Sequence, residues 1–401
     1  MRIDATYAGD AAPSDVDLER LRTGRLARLQ AAMHARDVDV CLLANEPNVR
    51  YATGATAMPV YAMSTFCRCA VVPQEGAPIL FEHPNSVHRS ALRAPDVRPM
   101  HAWEFFDEPG AEAAIWADLM VEAFCELGVD GSPVAVDRLG APAWLALQER
   151  GVMFRDAAPV TQSAREVKTP EEIVLLELNG EIVLEMLGAF EARLVPGVAE
   201  RDLVATLAET TLRRGGEYLA TNTVCSGPNT NPWRAEATDR AIEPGDLVYV
   251  DTDVVGVEGY FSCVSRALVC GDVEPTTAQR DLYRAAHDWL RDMEDVIRPG
   301  ITCAEAARLA PAIPERFLAQ RYECMVHGIG LEEESPSVCH PQDPQSNGAR
   351  LIEPGMALVI ELYCGEVGGA EGVKLGDQVL VTDDGIRVLA PYPFDGRLLG
   401  A

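Results

Sequence analysis

Residues 18–36, LERLRTGRLARLQAAMHAR, carry Leu21, Leu26, Leu29 and Met33 at helical spacing. The apolar run VDVCLLAN behind them, residues 38–45, predicts a strand. RCAVVPQEGAPILFEH predicts two strands around a Pro/Gly turn, and VRPMHAW and SPVAVD predict two more. A helical segment, EAAIWADLMVEAFCELG, lies between those last two. This alternation predicts a smaller N-terminal α/β domain over residues 1–163.

The pattern changes at VKTPEEI. Thr169 and Glu172 have capping-box spacing, and Pro170 takes the first helical position. The amphipathic helix that follows is expected to run to about Arg193 and to stop before Pro196 and Gly197. Thr302 with Glu305 opens another helix. Around these helices the segments LATNTVCSG, GDLVYVDTDV, YFSCVSRALV, ALVIELYC and VKLGDQVLVTDDG predict strands that look antiparallel, hence an α+β domain over residues 164–401.

Composition narrows the function classes. Hydrophobic residues make up 48% of the 401 and charged residues 24%, as in an ordinary globular protein. A formal charge of −28 opposes phosphate-rich partners, so nucleic acid and anionic membrane surfaces are not expected. No apolar run approaches the length of a membrane span, and the start MRIDATYAGD shows no leader pattern. Eleven cysteines without CxxC pairs read as reduced thiols and a cytoplasmic protein. Lys168 and Lys374 are the only lysines, a bias that fits a GC-rich genome better than any mechanism.

Four stretches hold residues for a divalent-metal or acid/base site. On an extended strand, Asp251 and Asp253 would point to one face. His327 opens HGIGLEEESPS, where glycines on either side of Ile329 let the backbone pass close to a pocket. Glu361 ends the apolar strand ALVIEL, where a carboxylate is costly unless paired or coordinated. Lys374 and Asp377 punctuate the last strand. Oxygen donors with one imidazole suit manganese, iron, cobalt or zinc. Singly, each of these residues is more often structural than catalytic.

NVRYATG, KTPEEI, SGPNTNPW, DTDVVGVEGYFSCVSR, HGIGLEEESPS and KLGDQVLVTDDG together resemble the pita-bread superfamily of methionine aminopeptidase, prolidase and creatinase. Within it the chain is similar to the DddP-type dimethylsulfoniopropionate lyases, over nearly its whole length. The resemblance implies a pita-bread C-terminal domain behind a creatinase/prolidase-type N-terminal domain, and a homodimer. It implies metal ligands at Asp251, Asp253, His327 and Glu361, whereas two further ligand positions fall on Cys263 and Gly376. The expected cofactor is therefore at most one divalent transition metal, with or without the Cys263 thiolate, or none, as in creatinase. Cys263 reads as a nucleophile, a substitute metal ligand or, as the safest reading, a passive space-filler.

The lyase resemblance also implies Glu333 as proton-abstracting base, with Tyr322 and His327 beside it. Trp233 stands where the peptidases place a histidine. With Tyr260 and Tyr322 it would surround a substrate cation, while Arg266 pairs with a substrate carboxylate or holds Glu361. The expected activity is β-elimination that cleaves a C–S or C–N bond of a small carboxylated cation. A metal-free creatinase-like C–N hydrolase is the alternative, followed by a non-catalytic binding protein and a proline-specific peptidase.

Overall fold

The computed structural model describes residues 16–58, 60, 67–104, 106–233, 236–343 and 347–400; the opening residues, read above as free of a leader, lie outside them. The chain divides into two compact units, Met1–Arg165 and Glu166–Ala401.

The first unit contains a six-stranded mixed sheet: β1 (Val40–Leu43), β2 (Cys69–Pro73), β3 (Ile79–Glu82), β4 (Asp96–Pro99), β5 (Val134–Val136) and β6 (Phe154–Asp156), in the order β4-β3-β2-β1-β5-β6. β1 runs parallel to β5 and antiparallel to β2. Its apolar face buries Val40, Leu42, Val71 and Phe81 against Trp116, Met120 and Phe124 of the helix Pro109–Glu126. VRPMHAW yields only a short strand that ends at Pro99, and Trp103 packs into this core instead.

In the second unit, the Thr169–Glu172 capping box forms as expected: Thr169 N–H donates to Glu172 Oε2, and Glu172 N–H to Thr169 Oγ1. The helix Pro170–Arg193 follows it. The strands are β7 (Tyr218–Leu219), β8 (Val224–Ser226), β9 (Leu247–Asp251), β10 (Val254–Val255), β11 (Phe261–Ser262), β12 (Ser265–Val269), β13 (Cys324–Ile329), β14 (Glu333–Cys339), β15 (Ala357–Gly365), β16 (Gly372–Val381) and β17 (Ile386–Val388). The main sheet runs β14-β13-β15-β16-β12-β9-β8, with β17 on β16, and all its recorded pairings are antiparallel.

Two helix sets cover one face of this sheet. Val248, Val250 and Leu268 bury against Val183, Leu187 and Leu203, from the helices Pro170–Arg193 and Glu200–Arg213. Ile360, Leu362, Val373 and Leu375 bury against Tyr283, Leu290 and Met293 of the helix Thr277–Val296. Because side chains alternate along a strand, Glu361, Lys374 and Gly376 point to the opposite face.

Three predicted strands break in the middle. LATNTVCSG divides into β7 and β8, and GDLVYVDTDV into β9 and β10; the second member of one pair and the first of the other join the main sheet. YFSCVSRALV divides into β11 and β12 around Cys263 and Val264. β7, β10 and β11 form a separate three-stranded sheet. The break after Asp251 is sharp, because Asp253 adopts φ = 27°, outside any extended strand.

Candidate active site

One cross-strand row organises the site. Asp251 on β9 pairs with Ser265 on β12, Ser265 with Gly376 on β16, and Gly376 with Glu361 on β15. Directly opposed residues share a face of the sheet. Lys374, two residues before Gly376 on β16, projects to that face as well. Its Nζ lies 2.6 Å from Glu361 Oε2 and 3.1 Å from Asp251 Oδ2. The Lys374 side chain is fully buried.

Aromatic rings cover the ammonium. Lys374 Nζ is 3.6 Å from the Tyr322 ring centre and 4.4 Å from that of Trp233. Trp233 itself stacks on Tyr249 and meets Tyr363 edge-on. His340 Nε2 lies 2.9 Å from the Tyr322 carbonyl oxygen, which fixes the backbone of that residue. The box expected around a substrate cation therefore already holds a cation of the chain.

Further donors surround the two aspartates. Ser265 Oγ–H donates to Asp251 Oδ1 at 2.8 Å, and the Cys263 thiol approaches the same oxygen at 3.3 Å. Thr221 Oγ1–H donates to Asp253 Oδ2 at 2.9 Å. His327 Nε2 lies 3.4 Å from Glu361 Oε1. Its Nδ1 is 2.9 Å from the Gly328 carbonyl, an acceptor only, so Nδ1 carries a proton.

Charge and burial compete throughout. Burial works against the Glu361 carboxylate, but Lys374, then His327, outweighs it and lowers its pKa to about 2. Burial also disfavours the His327 imidazolium, yet Glu361 raises its pKa to about 9. Burial, then the charge of Asp251, pushes Asp253 up to about 7. Burial disfavours the Lys374 ammonium, but Asp251 and Glu361 hold its pKa well above the usual lysine range. Burial and the surrounding carboxylates raise the Cys263 thiol well above its usual range.

The expected ligand residues separate into two groups. Asp251, Asp253 and Cys263 bring one donor atom each within 4.8 Å of one another, although Asp253 arrives there by a left-handed turn and not by strand alternation. His327 and Glu361 face each other and Lys374, which stands between Glu361 and Asp251. The four proposed ligands therefore do not converge on one point, and a metal pair does not fit this donor set. Gly376 offers no ligand, and a Cβ there would lie 3.0 Å from Glu361 Cβ and 3.3 Å from Ser265 Oγ.

Tyr260 and Arg266 need correction. Tyr260 is fully buried and its hydroxyl donates to Glu172 Oε1 at 2.7 Å, so it anchors a helix start and does not line the site. Arg266 follows Ser265 on β12 and therefore points to the helix-covered face. There its guanidinium donates to Asp377 at 2.7 Å and to the Tyr392 carbonyl, and stacks over Phe394. Its Nη1 also donates to the Ser265 and Gly376 carbonyls, so it braces the backbone of the row from behind and does not contact Glu361.

The acidic run after His327 splits as well. Glu333 is exposed, yet its charge reaches His327 and helps to raise that imidazole's pKa. Glu334 is buried, pairs with Lys168 Nζ at 2.5 Å and accepts the Leu331 N–H at 3.0 Å. Sequence reasoning named Lys374 but gave it no role. A lone lysine in an apolar strand that also bears Gly376 was the available signal.

The profile of metallopeptidase family M24 matches residues 175–383, more than half of the chain. The chain belongs to family M24. Its pita-bread domain is preceded by a creatinase/prolidase N-terminal domain, matched over residues 25–167. Among M24 relatives, the dimethylsulfoniopropionate lyase DddP of Roseovarius nubinhibens is 32% identical over 98% of this chain and 90% of its own. The lyase of the same name from Roseobacter denitrificans is 31% identical over 96% and 88%. The Xaa-Pro dipeptidase of Pyrococcus furiosus is 28% identical over 59% of this chain and 66% of its own. Among solved structures, the Xaa-Pro dipeptidase from Bacillus anthracis superposes with a TM-score of 0.76 at 21% identity, covering 93% of this chain and 99% of its own, which establishes the fold. The chain is thus a lyase-like member of an enzyme family. No helix among the described residues is long and apolar enough to cross a membrane.

Proposed function

We propose that this enzyme catalyses β-elimination on a small carboxylate that bears a sulfonium or quaternary ammonium group, with dimethylsulfoniopropionate as the first substrate to try. One observation carries the reading: two relatives named as lyases align over 96–98% of the chain, whereas the dipeptidase alignment reported above spans 59%. Glu333 is the base. Its carboxylate takes the proton on the carbon next to the substrate carboxylate, the freed electron pair forms the C=C bond, and the C–S bond breaks with its pair leaving on sulfur. The products are a neutral thioether and an acrylate, and the proton stays on Glu333. Trp233 and Tyr322 form the wall on which the substrate lies. We place the enzyme in the cytoplasm as a homodimer, on the strength of its unpaired thiols and its resemblance to the lyases.

A second reading is a metal-free C–N hydrolase acting on an amidine or amide. The proton-carrying His327–Glu361–Lys374 group favours it, since it offers acid/base chemistry without a metal. Incubation of the purified chain with dimethylsulfoniopropionate, with dimethyl sulfide and acrylate as readouts, tests the first reading. Release of urea or amine from creatine-like amidines, with the sulfonium and betaine carboxylates all inert, would replace it by the second.

A further inference from the structure

A divalent metal bound on this face would have to compete with the cations that already face the two carboxylates flanking its centre. Asp251 Oδ1 faces Ser265 and Cys263, and Asp251 Oδ2 faces Lys374. Glu361 Oε2 faces Lys374 at 2.6 Å, and Glu361 Oε1 faces His327 at 3.4 Å. A metal could displace these donors only by pushing the ammonium out of the box formed by Trp233 and Tyr322. The geometry around Gly376 works in the same direction. It opposes the carboxylate side chain that would supply a further ligand, and it leaves the row beside Glu361 clear for the lysine.

We infer that Lys374 is the resident cation of this site, standing in place of a metal ion between Asp251 and Glu361 and receiving the substrate's carboxylate. The first half stands on the distances above; the second rests on the proposed lyase reading. An ammonium is a compact point charge with three donors, and two of its directions are taken by Asp251 and Glu361. The third lies under the Tyr322 and Trp233 rings, so an incoming carboxylate reaches it by displacing that cover. Charge that builds up on the substrate carboxylate as the neighbouring proton is removed would be met by that donor. With Lys374 already in the box, a substrate's onium group must lie elsewhere, along the outer edges of Trp233 and Tyr322, both of which are half-buried.

The test uses the full chain, stripped with chelator and titrated with Co(II), followed by visible absorption and calorimetry. The expected result is no tightly held Co(II) in the natural protein. Lys374→Met and Lys374→Ala, which remove the charge, should bind one Co(II) per chain about tenfold or more tighter. Lys374→Arg, which keeps the charge, should continue to exclude it. Stoichiometric, tight Co(II) in the natural protein would overturn the inference, as would equal uptake by the Arg and Met variants. Where the Met and Ala variants do not fold, the natural and Arg proteins decide: uptake by either refutes it and exclusion by both upholds it. Propionate serves as the probe for the second half. Binding of propionate should fall about tenfold or more in Lys374→Met, and unchanged binding would remove Lys374 from substrate contact. Neither readout requires turnover, so absence of lyase activity would count against the proposed reaction alone.

Discussion

Lys374 and Glu361 meet at 2.6 Å on neighbouring strands, both fully buried, at the centre of the face that carries the candidate chemistry. A buried pair of this kind adds little net stability relative to an apolar pair, but loss of one partner strands the other. Lys374→Met should therefore destabilise the fold by about 3–5 kcal/mol, because Asp251 would lose its cation and Glu361 would keep only His327. Chemical denaturation of the variant beside the natural protein measures this. A change below about 1 kcal/mol would mean that water or a metal already neutralises the carboxylates.

Glu333 and Glu334 are adjacent and should respond in opposite ways. Glu333→Gln should abolish turnover while leaving the melting temperature unchanged, since the side chain is exposed. Glu334→Gln should lower stability by about 3–5 kcal/mol through loss of the buried ion pair with Lys168. Turnover and thermal melts of both variants check the pair, and retained turnover in Glu333→Gln would move the base elsewhere.

Gly376→Glu places a carboxylate where the resemblance puts a ligand, and the backbone resists it. The new Cβ would press on Glu361 Cβ at 3.0 Å and disturb the row from Asp251 to Glu361. The expected outcome is a loss of about 1–3 kcal/mol of stability, as for other overpacked buried positions. A variant as stable as the natural chain would show that β15 and β16 yield easily.

The helix-covered face holds a second buried acid. Glu294, on the helix Thr277–Val296, is raised from 4.5 to about 8 by burial first and then by the charge of Asp377, although Arg291 and Arg266 pull it back. The folded form holds this proton more tightly than the unfolded chain does. Its contribution to stability is therefore full below pH 4.5 and is lost as pH rises through about 8. Glu294→Gln should flatten that decline, and denaturation midpoints across this range would reveal it. Identical pH profiles for the two proteins would contradict the assignment.

Much of the fold was legible because local signals agreed with it. The capping boxes at Thr169 and Thr302 opened helices as their spacing required. The apolar runs of β9, β12, β15 and β16 became buried strands, since each carries enough β-branched and aliphatic residues to be covered on both faces. The breaks were not legible. Nothing in GDLVYVDTDV marks the turn at Asp253, where a left-handed backbone is held by surrounding structure and not by a glycine. For the same reason Asp251 and Asp253 did come together, but by a route that strand alternation does not describe. Tyr260 and Arg266 looked like site residues because motif proximity says nothing about which face a side chain takes, and the break around Cys263 sets that face. Lys374 was given no role because its partners are more than ten residues away in sequence, on β9, on β15 and in two loops.

The two lysines have a consequence for handling the molecule. Lys168 and Lys374 are the chain's only side-chain amines, and both are sealed inside ion pairs with buried glutamates. The folded surface thus presents arginine as its only strong base. Amine-directed acylating reagents and lysine-specific proteases would find no side chain to attack until the catalytic unit opens, so the rate at which they act would time that opening directly.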